Sequence, residues 1–228
     1  IKHGSLGDLI QANGAIEDIS NSFKDSKVFL LTSRPYVEFM SDCPYIDGII
    51  MDKRLPRWNL FYLFNLKKQL SRYSFTHVFD LQNSKRTKFY ENYLIPKAIW
   101  SSTESALERG EKRSDFDEDP VLERMKIQLK KNGVKTKNVL NANLNWAFTN
   151  IRHITKNYIS RKYILLFPFC SPKLIKKKWP YYSILVSQLK SKYGGKYDIA
   201  IAPGPNEIEE SRMLSTNVIL NGEKPLKL

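Results

Sequence analysis

Short apolar, β-rich runs alternate with helical segments along most of this chain, and that alternation restricts the fold more than any other feature. Residues 27–32 (KVFLLT), 48–51 (GIIM) and 76–81 (THVFDL) read as strands. Before them lies a helix carried by Leu9, Ile10, Ala12, Ala15, Ile16 and Ile19. Between the second and third runs Asn59 opens a helix to about residue 73, with Leu60, Leu63, Phe64, Leu66 and Leu70 at helical spacing. Strand-to-strand connections that carry a helix join parallel neighbours, and a parallel sheet needs cover on both faces. A second series follows: a buried-strand run at 163–167, a helix from Pro180 to Tyr193, and runs at 197–202 and 217–220. The expected class is therefore α/β. An N-terminal domain is placed at residues 1–160 and the start of a second at 161–228, with a mixed crossing segment over 138–157.

Composition narrows the function classes. With 228 residues and 42% hydrophobic content the chain can bury a real core. No run of eighteen apolar residues occurs and no secretory signal is visible. Cys43 and Cys170 suggest no disulfide framework, so a cytoplasmic setting fits. His3, His77 and His153 are scattered and form no ligand cluster, so no metal is expected; no cofactor is expected either. The formal charge of +14 admits a phosphorylated substrate, an anionic membrane surface or nucleic acid, or merely an AT-biased genome. No RNA- or DNA-binding motif accompanies it, so nucleic acid is not the expected partner, although a basic nucleic-acid-binding module stays as the alternative. Residues 1–3 read as the tail of a strand whose beginning is absent and residues 222–228 as a loop toward another helix, which makes the sequence look like a fragment.

Four stretches carry candidate chemistry. In Gly4-Ser5-Leu6-Gly7-Asp8 two glycines flank a hydroxyl, and a carboxylate opens the first helix. Asp8 is either an ordinary helix-dipole partner or a carboxylate aimed into the crevice at the end of the first strand. Asp80 to Arg86 is a polar cluster at the end of another strand, either an Asn/Ser helix cap or the wall of the same crevice. Ser171, Lys173, Lys176, Lys177 and Lys178 fill a strand-to-helix loop: a solvated lysine run, or an anion site completed by the following helix N-terminus. Gly204 and Asn206 open a helix carrying Glu207, Glu209 and Glu210. Residues 101–119 read as an irregular, mobile surface loop or a lid. Trp58, Phe61, Tyr62 and Phe64 are either amphipathic membrane contacts or simple core.

The Ser5-Leu6-Gly7-Asp8 turn, the loop from Phe167 to Ser171 with Lys176-Lys177-Lys178-Trp179-Pro180, and Pro203-Gly204-Pro205 through Glu210 together resemble glycosyltransferase family 9, the lipopolysaccharide heptosyltransferases. That resemblance implies a GT-B fold, two Rossmann-like domains with parallel sheets facing a central cleft, the second incomplete here. It implies a metal-independent, inverting transferase. Asp8 would be the general base; Ser5, Gly7, Gln82, Lys85 and Arg86 would lie on the acceptor side. Ser171, Lys178, Gly204 and Glu207 would bind the donor, with Glu209 an alternative to Glu207. The implied partners are an ADP-heptose-like nucleotide-sugar, an anionic lipid-linked glycan acceptor, and the inner face of the cytoplasmic membrane as a peripheral contact. Two departures stand out: Phe169-Cys170 replaces the family's usual Gly-Ala, and nothing matches its later Asp-x-Gly-x-x-His segment. A catalytically inactive relative acting as a binding protein is the remaining alternative.

Overall fold

The computed structural model describes residues 1–204 and 206–220, the side chains of Ile154, Pro172 and Lys173 excepted. Pro205 and the loop expected at 222–228 lie outside the described residues. The chain divides into two units, Ile1–Ala147 and Phe148 onward.

In the first unit α1 (Leu6–Ser22) leads to β1 (Phe29–Ser33), α2 (Val37–Ser41), β2 (Gly48–Asp52), α3 (Leu60–Leu70) and β3 (His77–Phe79). Then come α4 (Lys85–Tyr93), β4 (Ile99–Ser101), α5 (Thr103–Ala106), α6 (Arg113–Phe116) and α7 (Val121–Lys131). β1 and β2 pair in parallel with Phe29 opposite Gly48, and β3 and β4 with His77 opposite Ile99. Residues 1–3 join the two pairs. The Lys2 N–H donates to the Leu31 carbonyl at 3.1 Å, while Ile1 nitrogen donates to the Phe79 carbonyl and the Leu81 N–H to the Ile1 carbonyl, at 2.6 and 3.1 Å. Donation to one flanking residue and acceptance from the other is the parallel pattern. The spatial order is thus β2, β1, residues 1–3, β3, β4, and the chain reverses its direction of winding beside residues 1–3. In such a sheet the ligand crevice opens at the carboxyl ends of the strands flanking that reversal. Those ends carry the Gly4–Asp8 turn and the Asp80–Arg86 cluster.

Alternate residues of β1 feed opposite faces, as the pleat requires. Leu30 joins Leu9, Ala12, Ile16 and Ile19 of α1 and Met125 and Leu129 of α7. Leu31 joins Ile50, Tyr62, Leu63, Leu66 and Leu70 under α3, together with Tyr90 of α4. A cavity of about 510 Å³, lined in part by Ile1, Phe29, Val78 and Ile95, opens at the amino ends of β1 and β3, the edge opposite the candidate turns.

Residues 134–147 belong to the first unit because they are tied to α1. The buried Asp18 carboxylate accepts from the Asn138 N–H at 2.8 Å, the Asn138 side-chain amide at 2.9 Å and the Val139 N–H at 3.1 Å. A Cβ on Gly14 would lie 2.0 Å from the Asn138 carbonyl oxygen, so α1 must carry a glycine where this loop crosses it. The unit accordingly ends ahead of residue 160, where the sequence places the boundary.

Residues 101–119 differ from the irregular loop expected. Ser101 ends β4, and Ala106 of α5 and Phe116 of α6 are buried. Asn83 accepts from the Thr103 N–H at 2.7 Å and from the Arg113 guanidinium at 2.8 Å. Dense surface charge hides these few anchoring residues from a periodicity reading.

The second unit contains α8 (Arg152–Thr155), β5 (Lys162–Leu166), a 3-10 stretch (Pro172–Lys177), α9 (Tyr182–Tyr193), β6 (Tyr197–Ile201), α10 (Ile208–Arg212) and β7 (Val218–Ile219). Its strands lie in the order β5-β6-β7, all parallel. Ile199, Ala200 and Ile201 of β6 are fully buried, as the middle strand of a covered sheet should be. Val186 is the buried residue of α9, whereas Ile184 and Gln188 are exposed. Asp198 accepts from the Arg161 guanidinium at 2.8 Å, which holds its carboxyl below the usual range.

Candidate active site

The turn after residues 1–3 is built for close packing. Gly4 has φ +112°, and a Cβ there would lie 2.1 Å from the Tyr36 ring. Ser5 caps α1. Asp8 Oδ2 accepts from the Ser5 N–H at 2.7 Å and its hydroxyl at 3.1 Å. Both of Asp8's hydrogen bonds therefore run through one oxygen, and the side chain stays partly exposed. Of the two readings of Asp8, the helix-opening contact is present, and it leaves Oδ1 for other work. Gly7 is exposed, and a Cβ there would meet nothing within 4 Å, so the chain's own packing does not require glycine at that position. Below the turn, buried Lys2 donates from Nζ to the Leu81 carbonyl at 2.9 Å. Burial lowers the pKa of this ammonium, against the pull of the Asp8 and Asp80 carboxylates.

Across the reversal point Asp80 Oδ1 accepts from the N–H groups of Gln82 and Asn83, each at 3.0 Å. Gln82 Oε1 accepts the His3 N–H at 3.0 Å, which ties the two strand ends together. Lys85 is exposed. Arg86 is turned toward the protein: its guanidinium donates to the Tyr90 hydroxyl at 3.1 Å and to the Leu55 carbonyl at 3.0 Å. Ser5, Gly7, Asp8, Gln82, Lys85 and Arg86 thus stand at adjacent strand ends of one unit.

A buried polar network beneath them escaped the sequence reading. His3 Nε2 lies 2.8 Å from Asp52 Oδ2. The Tyr90 hydroxyl donates to the same oxygen at 2.6 Å, the Tyr62 hydroxyl donates to Oδ1, and the Arg54 N–H donates to Oδ1 at 2.8 Å. Burial alone would raise the Asp52 pKa, but the contacts from His3, Tyr62, Tyr90 and Arg54 outweigh it and hold the carboxyl far below the usual range. Burial lowers the His3 pKa even with Asp52 beside it. Tyr90 is pushed up to about 12, chiefly by burial. At neutral pH the network is one carboxylate served by a neutral imidazole and two intact phenols. Asp52 closes a strand, as Asp80 nearly does, and that position was the signal available in the sequence. Tyr62, left there between membrane contact and core, is buried and belongs to this network.

In the second unit the loop after β5 reaches α10, the helix that follows β6. Lys178 forms an ion pair with Glu210, and its ammonium stands 5.4 Å from the Phe169 ring centre. Ser171 is exposed at the start of the 3-10 stretch, and Lys176 and Lys177 are exposed within it; the Lys173 side chain lies outside the description. Glu207, rather than the expected Asn206, caps α10, and its Oε2 accepts the Gly204 N–H at 2.7 Å. Glu209 points elsewhere, pairing with Arg212 at 2.7 Å. Lys178, Gly204 and Glu207 are therefore neighbours through Glu210 and α10. Among the described residues no three His, Cys, Asp or Glu side chains gather as a metal site would need, and no helix is long and apolar enough to cross a membrane.

No family model and no curated protein matches the chain. Solved structures do. The glycosyl transferase family 9 from Veillonella parvula DSM 2008 matches with a TM-score of 0.69 at 15% identity, over 99% of this chain and 68% of that one. The E. coli heptosyltransferase WaaC with ADP matches at 0.62 and 16%, over 99% and 74%. E. coli ADP-heptose lps heptosyltransferase II matches at 0.60 and 16%, over 93% and 66%. The resemblance to glycosyltransferase family 9 drawn from three short motifs is thus met at the level of fold, and the chain has the α/β, GT-B fold of these structures.

Proposed function

We propose that this chain belongs to an inverting glycosyltransferase that moves a sugar, heptose or a close relative, from an ADP- or other nucleotide-linked donor to a lipopolysaccharide core or related cell-envelope acceptor. The observation that carries the reading is the position of Asp8: a half-exposed carboxylate with one oxygen uncommitted, on the first turn beside the winding reversal, in a fold shared with transferases. In this reading Asp8 takes the proton of the acceptor hydroxyl as that oxygen bonds to the anomeric carbon. The anomeric C–O bond to the diphosphate breaks with inversion, and the diphosphate leaves with the electron pair. Ser5, Gly7, Gln82, Lys85 and Arg86 form the acceptor side. Ser171, Lys178, Gly204 and Glu207 form the donor side, where lysines and the start of α9 would hold the leaving diphosphate without a metal. Peripheral contact with an anionic membrane carrying the acceptor completes the reading.

The test is a panel of nucleotide-sugars with released nucleoside diphosphate as the readout. Asp8→Asn is expected to keep the melting temperature within a few degrees and to lower turnover by about two to four orders of magnitude. Near-normal turnover would remove Asp8 from the mechanism. One observation favours the inactive binding protein: Lys178 is already paired with Glu210 and stands beside the bulky Phe169. Saturable donor binding with no transfer to any acceptor would establish that alternative.

A further inference from the structure

The outward face of α3 is apolar where a helix in a water-soluble unit should be polar. Tyr62, Leu63, Leu66 and Leu70 turn inward, while Leu60, Phe61 and Phe64 are 75%, 78% and 65% exposed. Trp58, in the loop just before the helix, is 80% exposed. The sequence alone leaves these residues between core and contact surface; their exposure removes the core reading for Trp58, Phe61 and Phe64. Scattered exposed apolar residues need no explanation, but four large ones within seven positions form a patch, and such patches mark contacts. The patch continues onto α4: Arg57 stands 5.6 Å over the Phe89 ring, and Phe89 packs at 4.8 Å on Tyr93, itself 60% exposed.

Charge names the occupant. From Lys53 to Phe79 the chain holds six basic residues, Lys53, Arg54, Arg57, Lys67, Lys68 and Arg72, and no acidic one. Lys67 and Lys68 prolong the exposed face of α3 one and two turns beyond Phe61 and Phe64, and Lys53, Arg54 and Arg57 precede Trp58; all five are exposed. An apolar, tryptophan-containing strip bordered on both sides by lysine and arginine matches the boundary of an anionic bilayer, with rings among the acyl chains and cations among the headgroups. The loop bearing Trp58 leaves the carboxyl end of β2, and Arg86 grips its Leu55 carbonyl, so the strip borders the sheet edge that holds the acceptor candidates.

We infer that the Trp58–Phe64 strip, with Lys53, Arg54, Arg57, Lys67 and Lys68 around it, seats the protein on an anionic phospholipid surface. This deepens the proposed function by naming the surface behind its membrane contact, yet it is measured without turnover. The intact chain is floated with vesicles of phosphatidylcholine alone or with 30 mol% phosphatidylglycerol, roughly the anionic level that draws polybasic segments. The expected result is binding to the anionic vesicles only, weakened by salt. Trp58→Ser/Phe61→Ser/Phe64→Ser should lower binding at least about ten-fold, and Lys67→Gln/Lys68→Gln about five-fold per charge removed. Because all five side chains are exposed, both variants should melt with wild type, and the triple variant should still transfer sugar to a soluble, delipidated acceptor. Absence of anionic-vesicle binding, equal binding by the triple variant, or preferential capture of oligonucleotide would overturn the inference. So would a dimer that the triple variant dissolves without any change in vesicle binding. Loss of transfer with vesicle binding intact would count against the transferase reading instead.

Discussion

Tyr90→Phe isolates the strength of the buried network in a single atom. Tyr90 has no exposed surface, and its ring can stay where it is, edge-on to His3 at 6.1 Å between centroids. The substitution removes the hydroxyl that donates to Asp52 Oδ2 at 2.6 Å and accepts from Arg86 at 3.1 Å. Asp52 keeps His3, Tyr62 and the Arg54 N–H, so its charge is weakened in support rather than stranded. A hydrogen bond to a buried charge contributes about 1.5–3 kcal/mol, and the half-exposed Arg86 can turn to solvent at little cost. With about 2 kcal/mol lost and 2–4 °C per kcal/mol for a chain of this size, the melting temperature should fall by about 4–8 °C. Asp52→Asn should couple to it by about 0.5–3 kcal/mol in a double-mutant cycle, since both substitutions act on one bond. Thermal melts followed by circular dichroism at pH 7.5 supply all four corners. A fall under about 1 °C, or strict additivity, would refute the view that Asp52 is held charged by its hydroxyl partners.

Two further outcomes follow from the same geometry. Gly14→Ala drives a Cβ into the Asn138 carbonyl and should cost about 1–3 kcal/mol in a denaturant titration. Gly7→Ala, with open space around it, should instead stabilise by about 0.5–1 kcal/mol, and it should lower sugar transfer if a ligand approaches there; unchanged transfer would remove Gly7 from the acceptor side. The pH response has a definite sign. The folded chain resists protonating His3 while the unfolded chain takes up that proton near pH 6.5, so stability should decline as pH falls below about 6.5. Asp52, whose folded carboxyl lies far below the ordinary range, adds a second loss below about pH 4. Melting temperatures between pH 7.5 and 5 should slope for the native protein and flatten for His3→Gln; equal slopes would rule out His3 as the titrating group.

The strands beside the candidate site were legible because buried parallel strands are short, apolar and bounded by turn residues: 48–51 foretold β2, and 27–32 foretold β1 within a residue or two. The helix opened by Asn59 was legible from its spacing, and its side chain does accept the Tyr62 N–H. The three residues of β4 were not, since Ile99-Trp100-Ser101 offers no period to detect, and α5 and α6 are too short to show one. Asp8, Asp80 and the lysine loop could be located because each follows a strand. The partnership of His3 with Asp52, Tyr62 and Tyr90 could not, because it joins four separate elements and depends on which face each side chain takes. Orientation likewise decided α3: spacing marks two sides of a helix, but only packing says that Phe61 and Phe64 lie on the wet one.

The clasp of Asp18 by residues 138–139 bears on how the first unit assembles. A carboxylate on the opening helix finds its donors some 120 positions later, and Asn13 likewise waits for the carbonyl of Asn143. Until that late segment has emerged from the ribosome, α1 presents an unsatisfied acid to whatever it packs against, so it should be among the last elements to settle. Closures across such long separations fold slowly, and a nascent chain released before Val139 would keep its first helix loose.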